Sequence, residues 1–192
     1  MSAERSHQPA AALGAPGAAP SAARAGVMER SAIVTTDCPL CTGSGGEVLA
    51  QCGDFRVVWP DESGHPGLVR VIWSTHVAEM SDLAAVDRDR LMAAVFELES
   101  LMRRTLEPDK VNLASLGNMV AHLHWHVIPR WRDDRQFPAS IWTVPADVDP
   151  TSAKASAALA RLAVLRERLP IFHRAVRAAF GMGPGDPPAT IG

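Results

Sequence analysis

Three of the seven histidines in this 192-residue chain fall on alternate positions of one short stretch, HLHWHVIP over 122–129, as His122, His124 and His126. In a strand, successive side chains point to opposite faces, so the three imidazoles share one face while Leu123, Trp125 and Val127 share the other. Like neighbours on a face stand roughly 6.5 to 7 Å apart, so the rings cannot converge on one atom but can span a group the size of a phosphate. On the residues alone three readings stay open. The polar face of the strand is simply histidine; or two of the rings are metal ligands, a His-x-His pair awaiting a third; or a neutral imidazole attacks phosphorus while its neighbours donate hydrogen bonds to the developing charge.

A second group is Cys38 and Cys41 in CPLC, with Cys52 further on. A Cys-x2-Cys pair is half of a zinc site, or equally two small thiols in a turn set by Pro39. An odd set of three cysteines suits a reducing compartment better than a disulfide framework.

The elements that must position these residues are legible in outline. EVLAQ, FRVVW and LVRVIW are β-branched or aromatic runs, with PDESGHPG as a long loop between the last two, and they predict an antiparallel meander. From about Ser81 to Leu106, Leu83, Val86, Leu91, Val95, Leu98 and Met102 recur at helical steps, and Pro108 stops the pattern. KVNLASLGN and the histidine stretch predict two more strands, with a turn at Gly117 and Asn118 and an end at Pro129. Ser152 to Phe180 predicts one or two peripheral helices, broken at Pro170.

With 47% hydrophobic and 21% charged residues, the chain can bury one good-sized core. A formal net charge of -2 and the lack of a long basic block argue against a nucleic acid polymer as partner. Residues 1–30 are largely Ala, Pro, Gly and Ser, which predicts a disordered tail, as does 182–192. No apolar run has the length of a signal h-region or a membrane span, so the expected location is the cytoplasm, with no membrane partner. His65 and His173 are expected at the surface, and Arg130, Arg132 and Arg135 in a solvated loop with Asp133 and Asp134. Trp131, Phe137 and Trp142 either seal the C-terminal segment or offer a ring to a base.

HLHWHVI resembles the His-apolar-His-apolar-His-apolar-apolar signature of the histidine triad (HIT) superfamily at every position, and NLASLGNMVAHLHWHVIPRWRDD and HPGLVRVIWSTHVAEMSDL resemble HIT sequences in the same order. The resemblance covers roughly residues 36 to 143. It implies an α+β HIT-like fold, an antiparallel sheet of about five strands with a long helix, in a domain of residues 31–150 followed by a helical extension over 151–181. It also implies a homodimer, and a nucleotide hydrolase or nucleotidyl transferase, of the dinucleoside polyphosphate hydrolase kind, that needs no cofactor for catalysis. The other activity class it allows is a nucleotide-binding or regulatory module with little turnover.

By that resemblance His124 is the nucleophile that forms a nucleotidyl-histidine, His126 a phosphate donor and His122 a supporting or metal-binding residue. Asn112 contacts phosphate, Asn118 stands where many members have Gln, and Asp61 binds ribose. Met119 replaces a Ser or Thr that elsewhere assists the leaving group. Some bacterial members bind a structural zinc, and the matching residues here are Cys38, Cys41, His76 and His122.

Overall fold

The computed structural model describes residues 37–62, 64–145 and 149–181. The tails expected at 1–30 and 182–192 lie outside the described residues. Five strands, β1 (Glu47–Cys52), β2 (Phe55–Trp59), β3 (Val69–Trp73), β4 (Lys110–Ser115) and β5 (His124–Arg130), form one antiparallel sheet in the order β1-β2-β3-β5-β4. A four-residue helix α1 (Pro39–Thr42) precedes the sheet, α2 (Ala85–Leu106) joins β3 to β4, and α3 (Ala153–Ala179) follows. The expected α+β class and five-stranded sheet are the observed ones.

Alternation along the strands divides the sheet into two faces. On one, Val57, Val71 and Val127 are fully buried with Leu91, Val95, Leu98 and Met102 of α2 and Leu165, Phe172 and Val176 of α3. Burial of this apolar area is the main favourable term, at about 25 cal/mol per Å². The helix begins at Ala85 rather than Ser81, after a 3-10 turn at Met80–Asp82. Val86, expected in its apolar stripe, is 61% exposed, whereas Leu83, which precedes the helix, is buried.

Pro129 does not end β5, which runs to Arg130. The β3 ladder stops at Val69 opposite Val127, so beyond that point β5 pairs only with β4 and a missing N–H on the other edge costs no ladder bond. Gly67 leaves room for the ring: a Cβ there would lie 2.8 Å from Pro129 Cγ. Likewise α3 continues through Pro170 as one helix. Leu165 on one side of the proline and Phe172 and Val176 on the other are held in the core, offsetting an internal-proline cost of about 3 kcal/mol.

Two histidines expected at the surface are buried: His173 packs 4.9 Å from the Trp59 ring, and the 60–68 loop folds His65 inward. Arg130 is also buried rather than solvated. Its Nε and Nη2 donate to Asp134 at 2.8 and 3.1 Å, Nη1 to Asn112 Oδ1 and Nη2 to the Ala139 carbonyl. A charge so enclosed depends on its partner, so Asp134→Asn is expected to cost about 3 kcal/mol. Urea unfolding of the variant checks this; a midpoint equal to the wild type would contradict it.

Candidate active site and metal centre

The second face of the sheet carries the polar residues. The register sets Arg70 opposite His126, Ile72 opposite His124, and Ala114 of β4 on the far side of His126. At the β2 end of this face, Val58 and Ile72 are covered by Cys38 and Leu40, while the β5 end stays open as a cleft of about 540 Å³. Arg56 ties the covering segment down: its Nε donates to the Ser44 carbonyl at 2.9 Å, and Nη2 to those of Leu40 and Gly43 at 2.6 and 3.1 Å. Gly46, with φ of 148°, lets the segment enter β1; a Cβ there would lie 2.4 Å from the Trp59 carbonyl oxygen.

The three alternate histidines are not equivalent. Although the sequence predicts a strand from His122, β5 begins at His124. The His122 N–H donates to the Val120 carbonyl at 2.8 Å, a tight turn, and its side chain is buried outside the lining of the cleft. Its Nε2–H donates to the Trp73 carbonyl at 2.7 Å, leaving Nδ1 with its lone pair. That Nδ1 lies 3.4 Å from Cys38 Sγ, 3.5 Å from Cys41 Sγ and 3.3 Å from His76 Nδ1, while Cys41 Sγ is 3.4 Å from His76 Nδ1.

All four donor atoms lie within 4.8 Å of one another. Cys41, His76 and His122 are all within 3.5 Å of one another, a closed triangle rather than a linear chain of hydrogen bonds, and Cys38 joins it through His122. With metal–sulfur distances of about 2.3 Å and metal–nitrogen of about 2.0 Å, the edges of a tetrahedral donor set run from about 3.3 to 3.8 Å. The four separations of 3.3 to 3.5 Å fit, the two remaining ones lie within 4.8 Å, and two thiols with two imidazoles are a donor set suited to a closed structural site.

His124 and His126 line the cleft with Arg70, Asn118, Leu40, Leu116, Met119, Val120 and Trp142. His124 Nδ1–H donates to the His122 carbonyl at 2.6 Å, so Nε2 carries the lone pair. The backbone of a residue in the Cys-His cluster thus sets the ring of the cleft histidine. His126 Nδ1–H donates to the Ala114 carbonyl at 3.3 Å, and its ring stands 4.9 Å from His124 and 5.3 Å from Trp142.

Burial, above all, lowers the pKa of both rings, and the Arg70 charge adds to the effect on each. For His126, whose second cause is the neighbouring His124, the value falls to about 4. Both are therefore neutral near pH 7, as an imidazole nucleophile requires.

A pH effect on stability follows. A histidine with a lowered folded-state pKa binds its proton more readily when unfolded, so its stabilisation is full above about pH 6.5 and is lost as pH falls toward the folded value. For His126 the loss at pH 5 is about 2 kcal/mol. Urea midpoints at pH 7.5 and 5.0 for the wild type and His126→Asn check this: the drop should be smaller in the variant, and equal drops would contradict it.

Of the other residues singled out in the sequence, Asn118 reaches the cleft. Asn112, on β4, lines an adjoining depression that shares Trp142, and its Oδ1 is engaged by Arg130. Asp61 sits in an exposed left-handed turn after β2, with φ of 49°, outside the lining of the cleft. Trp131 seals the C-terminal helix, with Arg161 over its ring at 4.8 Å, whereas half-exposed Trp142 edges the cleft. Arg70 and Leu40 were not singled out. Arg70 alone carries charge within LVRVIW, and its parity with Ile72 is the signal that marks it.

A family profile described as HIT domain matches residues 46–133, the span from the entry to β1 through the loop after β5, and this segment is a HIT domain. The chain is 29% identical over 79 residues to an AP-4-A phosphorylase from Mycobacterium tuberculosis, an alignment covering 38% of this chain and 40% of that protein. The chain thus spans about two fifths of the length of the curated relative it matches. Among solved structures it is similar to a histidine triad protein from Marinobacter aquaeolei VT8, with 27% identity, 66% of this chain and 92% of that one covered, and a TM-score of 0.49. A zinc-bound histidine triad family protein from Mycobacterium smegmatis has 20% identity, coverage of 68% and 96%, and a TM-score of 0.42. Among the described residues no helix is long and apolar enough to cross a membrane.

Proposed function

We propose that the chain is a nucleotide hydrolase or nucleotidyl transferase in which His124 is the nucleophile. The observation that carries this reading is the 2.6 Å bond from His124 Nδ1–H to the His122 carbonyl, which aims a neutral Nε2 lone pair at an open cleft. Nε2 attacks the α-phosphorus, the bond from phosphorus to the leaving group breaks, and its electron pair departs with that group. Water, or another acceptor in transfer, then attacks the same phosphorus. The P–N bond breaks, its pair returns to Nε2, and the proton of the water is lost to solvent as the nucleoside monophosphate leaves.

His126 responds to the charge that substrate brings. Burial disfavours its protonation in the empty cleft, but a phosphoryl group beside it reverses the balance, so Nε2 takes a proton and donates to an equatorial oxygen. Asn118 donates without adding charge. Trp142 and the apolar wall of Leu40, Leu116 and Val120 suit a base. The AP-4-A phosphorylase relative supports a nucleotide polyphosphate as substrate. Met119, 95% exposed, has no hydroxyl to offer the leaving group.

The same proposal places structural zinc on Cys38, Cys41, His76 and His122. When bound, the ion would cross-link the α1 segment to the strand that carries His124; it takes no part in the chemistry.

Release of nucleoside monophosphate from a panel of adenosine 5′-phosphate derivatives tests the activity. Turnover of at least one supports it. Binding with no turnover of any member would overturn it in favour of a nucleotide-binding module.

A further inference from the structure

Arg70 is a half-buried cation that neither the fold nor the chemistry above uses. Every other residue of β3, from Val69 to Trp73, is apolar and buried, and its neighbours on the same face, Ile72 and Val58, are fully enclosed. A leucine would satisfy packing here. Instead the guanidinium Nη2 donates to Glu62 Oε2 at 3.1 Å, the side chain is 24% exposed at the cleft, and its Nε, buried, meets no acceptor among the described residues. An unmet buried donor on a charged group costs free energy unless something else completes it. Its position narrows what that is: Arg70 is directly paired with His126 across the β3–β5 ladder and lines the same cleft as His124.

A base or ribose is uncharged and gives a guanidinium little to hold, whereas a phosphate offers several acceptor oxygens in the geometry an arginine fork matches. The reacting phosphoryl group already has His126 and Asn118 beside it. We propose that Arg70 binds the leaving group: it takes the phosphate chain beyond the reacting phosphorus, so that preferred substrates are nucleoside and dinucleoside polyphosphates rather than derivatives with a neutral leaving group. This deepens the reading of His124 as nucleophile and rests on it. As the bond to the leaving oxygen breaks, charge accumulates on the departing phosphate, and a fixed cation beside it stabilises the transition state more than the bound substrate. Arg70 would supply by charge what Met119 cannot supply by a hydroxyl. Glu62 holds the guanidinium in place and weakens its field.

The test compares kcat/KM for diadenosine tetraphosphate with kcat/KM for adenosine 5′-phosphoramidate, whose leaving group is ammonia. In Arg70→Leu the ratio of the first to the second is expected to fall by about 30-fold, and Arg70→Lys to recover part of it, since a point charge remains without the fork. Glu62→Gln, which keeps Arg70 and removes its counter-charge, is expected to raise the ratio by about threefold, a second readout should the leucine variant fold poorly. A ratio unchanged in both Arg70→Leu and Glu62→Gln, with the wild type active on both substrates, would overturn the assignment of Arg70 alone. Wild-type protein inert toward both substrates would overturn the nucleophile reading as well.

Discussion

Replacing His124 by Ala is expected to lower the single-turnover rate of nucleoside monophosphate release by about 10⁴-fold or more, while the Kd for the product nucleotide stays within about threefold. The asymmetry follows from where the ring sits. His124 is one contact among several in the cleft, and Arg70, His126, Asn118 and the apolar wall all survive its loss. The attacking lone pair, by contrast, belongs to it alone. Although His126 Nε2 faces the same cleft, its ring is held by Ala114 on the β4 side, 4.9 Å from that of His124. Losing the nucleophile leaves direct attack by water, which the site is not built to orient. Rapid-quench kinetics with nucleotide titration separates the two effects. A variant retaining more than about a hundredth of the rate would contradict the role.

The second large effect concerns the Cys-His cluster. Replacing Cys38 and Cys41 together by Ser is expected to abolish stoichiometric zinc and to lower stability by about 5 kcal/mol or more, because binding energy realised only in the folded chain is folding energy. At about 2 to 4 °C per kcal/mol for a chain of this size, Tm falls by about 10 to 20 °C. His124 should feel the change too, since its Nδ1–H is held by the carbonyl of His122 and His122 is fixed by the cluster and by Trp73. Metal analysis of the purified wild type and differential scanning calorimetry of both proteins check this. A wild type without zinc, or a variant with an unchanged Tm, would contradict it.

Much of this arrangement was legible before any coordinates. Alternation in HLHWHVIP placed Leu123 and Val127 in the core and His124 and His126 in the cleft, because a pleated strand enforces that division. Parity alone could not show that His122 leaves the strand: the bond from its ring to the Trp73 carbonyl is a long-range fact, with Trp73 on another strand, and it accompanies the local turn to Val120. The same limit explains Arg130, His65 and His173. Each is polar and so reads as exposed, yet Asp134 satisfies the first, and the 60–68 loop and the Trp59 ring enclose the others. Pro129 and Pro170 read as breaks because local propensity disfavours them inside elements. Tertiary packing overrode it at Pro170, and a one-sided ladder made it irrelevant at Pro129. Arg70 went unnoticed for the opposite reason: a single charge in an apolar strand matters only once register shows what lies opposite.

The measurement that tests the central claim most directly is mass spectrometry of protein quenched in acid-free denaturant during turnover of an adenosine polyphosphate. The account predicts a nucleoside monophosphate adduct on the peptide containing His124, absent from His124→Ala and decaying at the rate of product release. Steady turnover with no adduct, or an adduct on His126 or another residue, would contradict it.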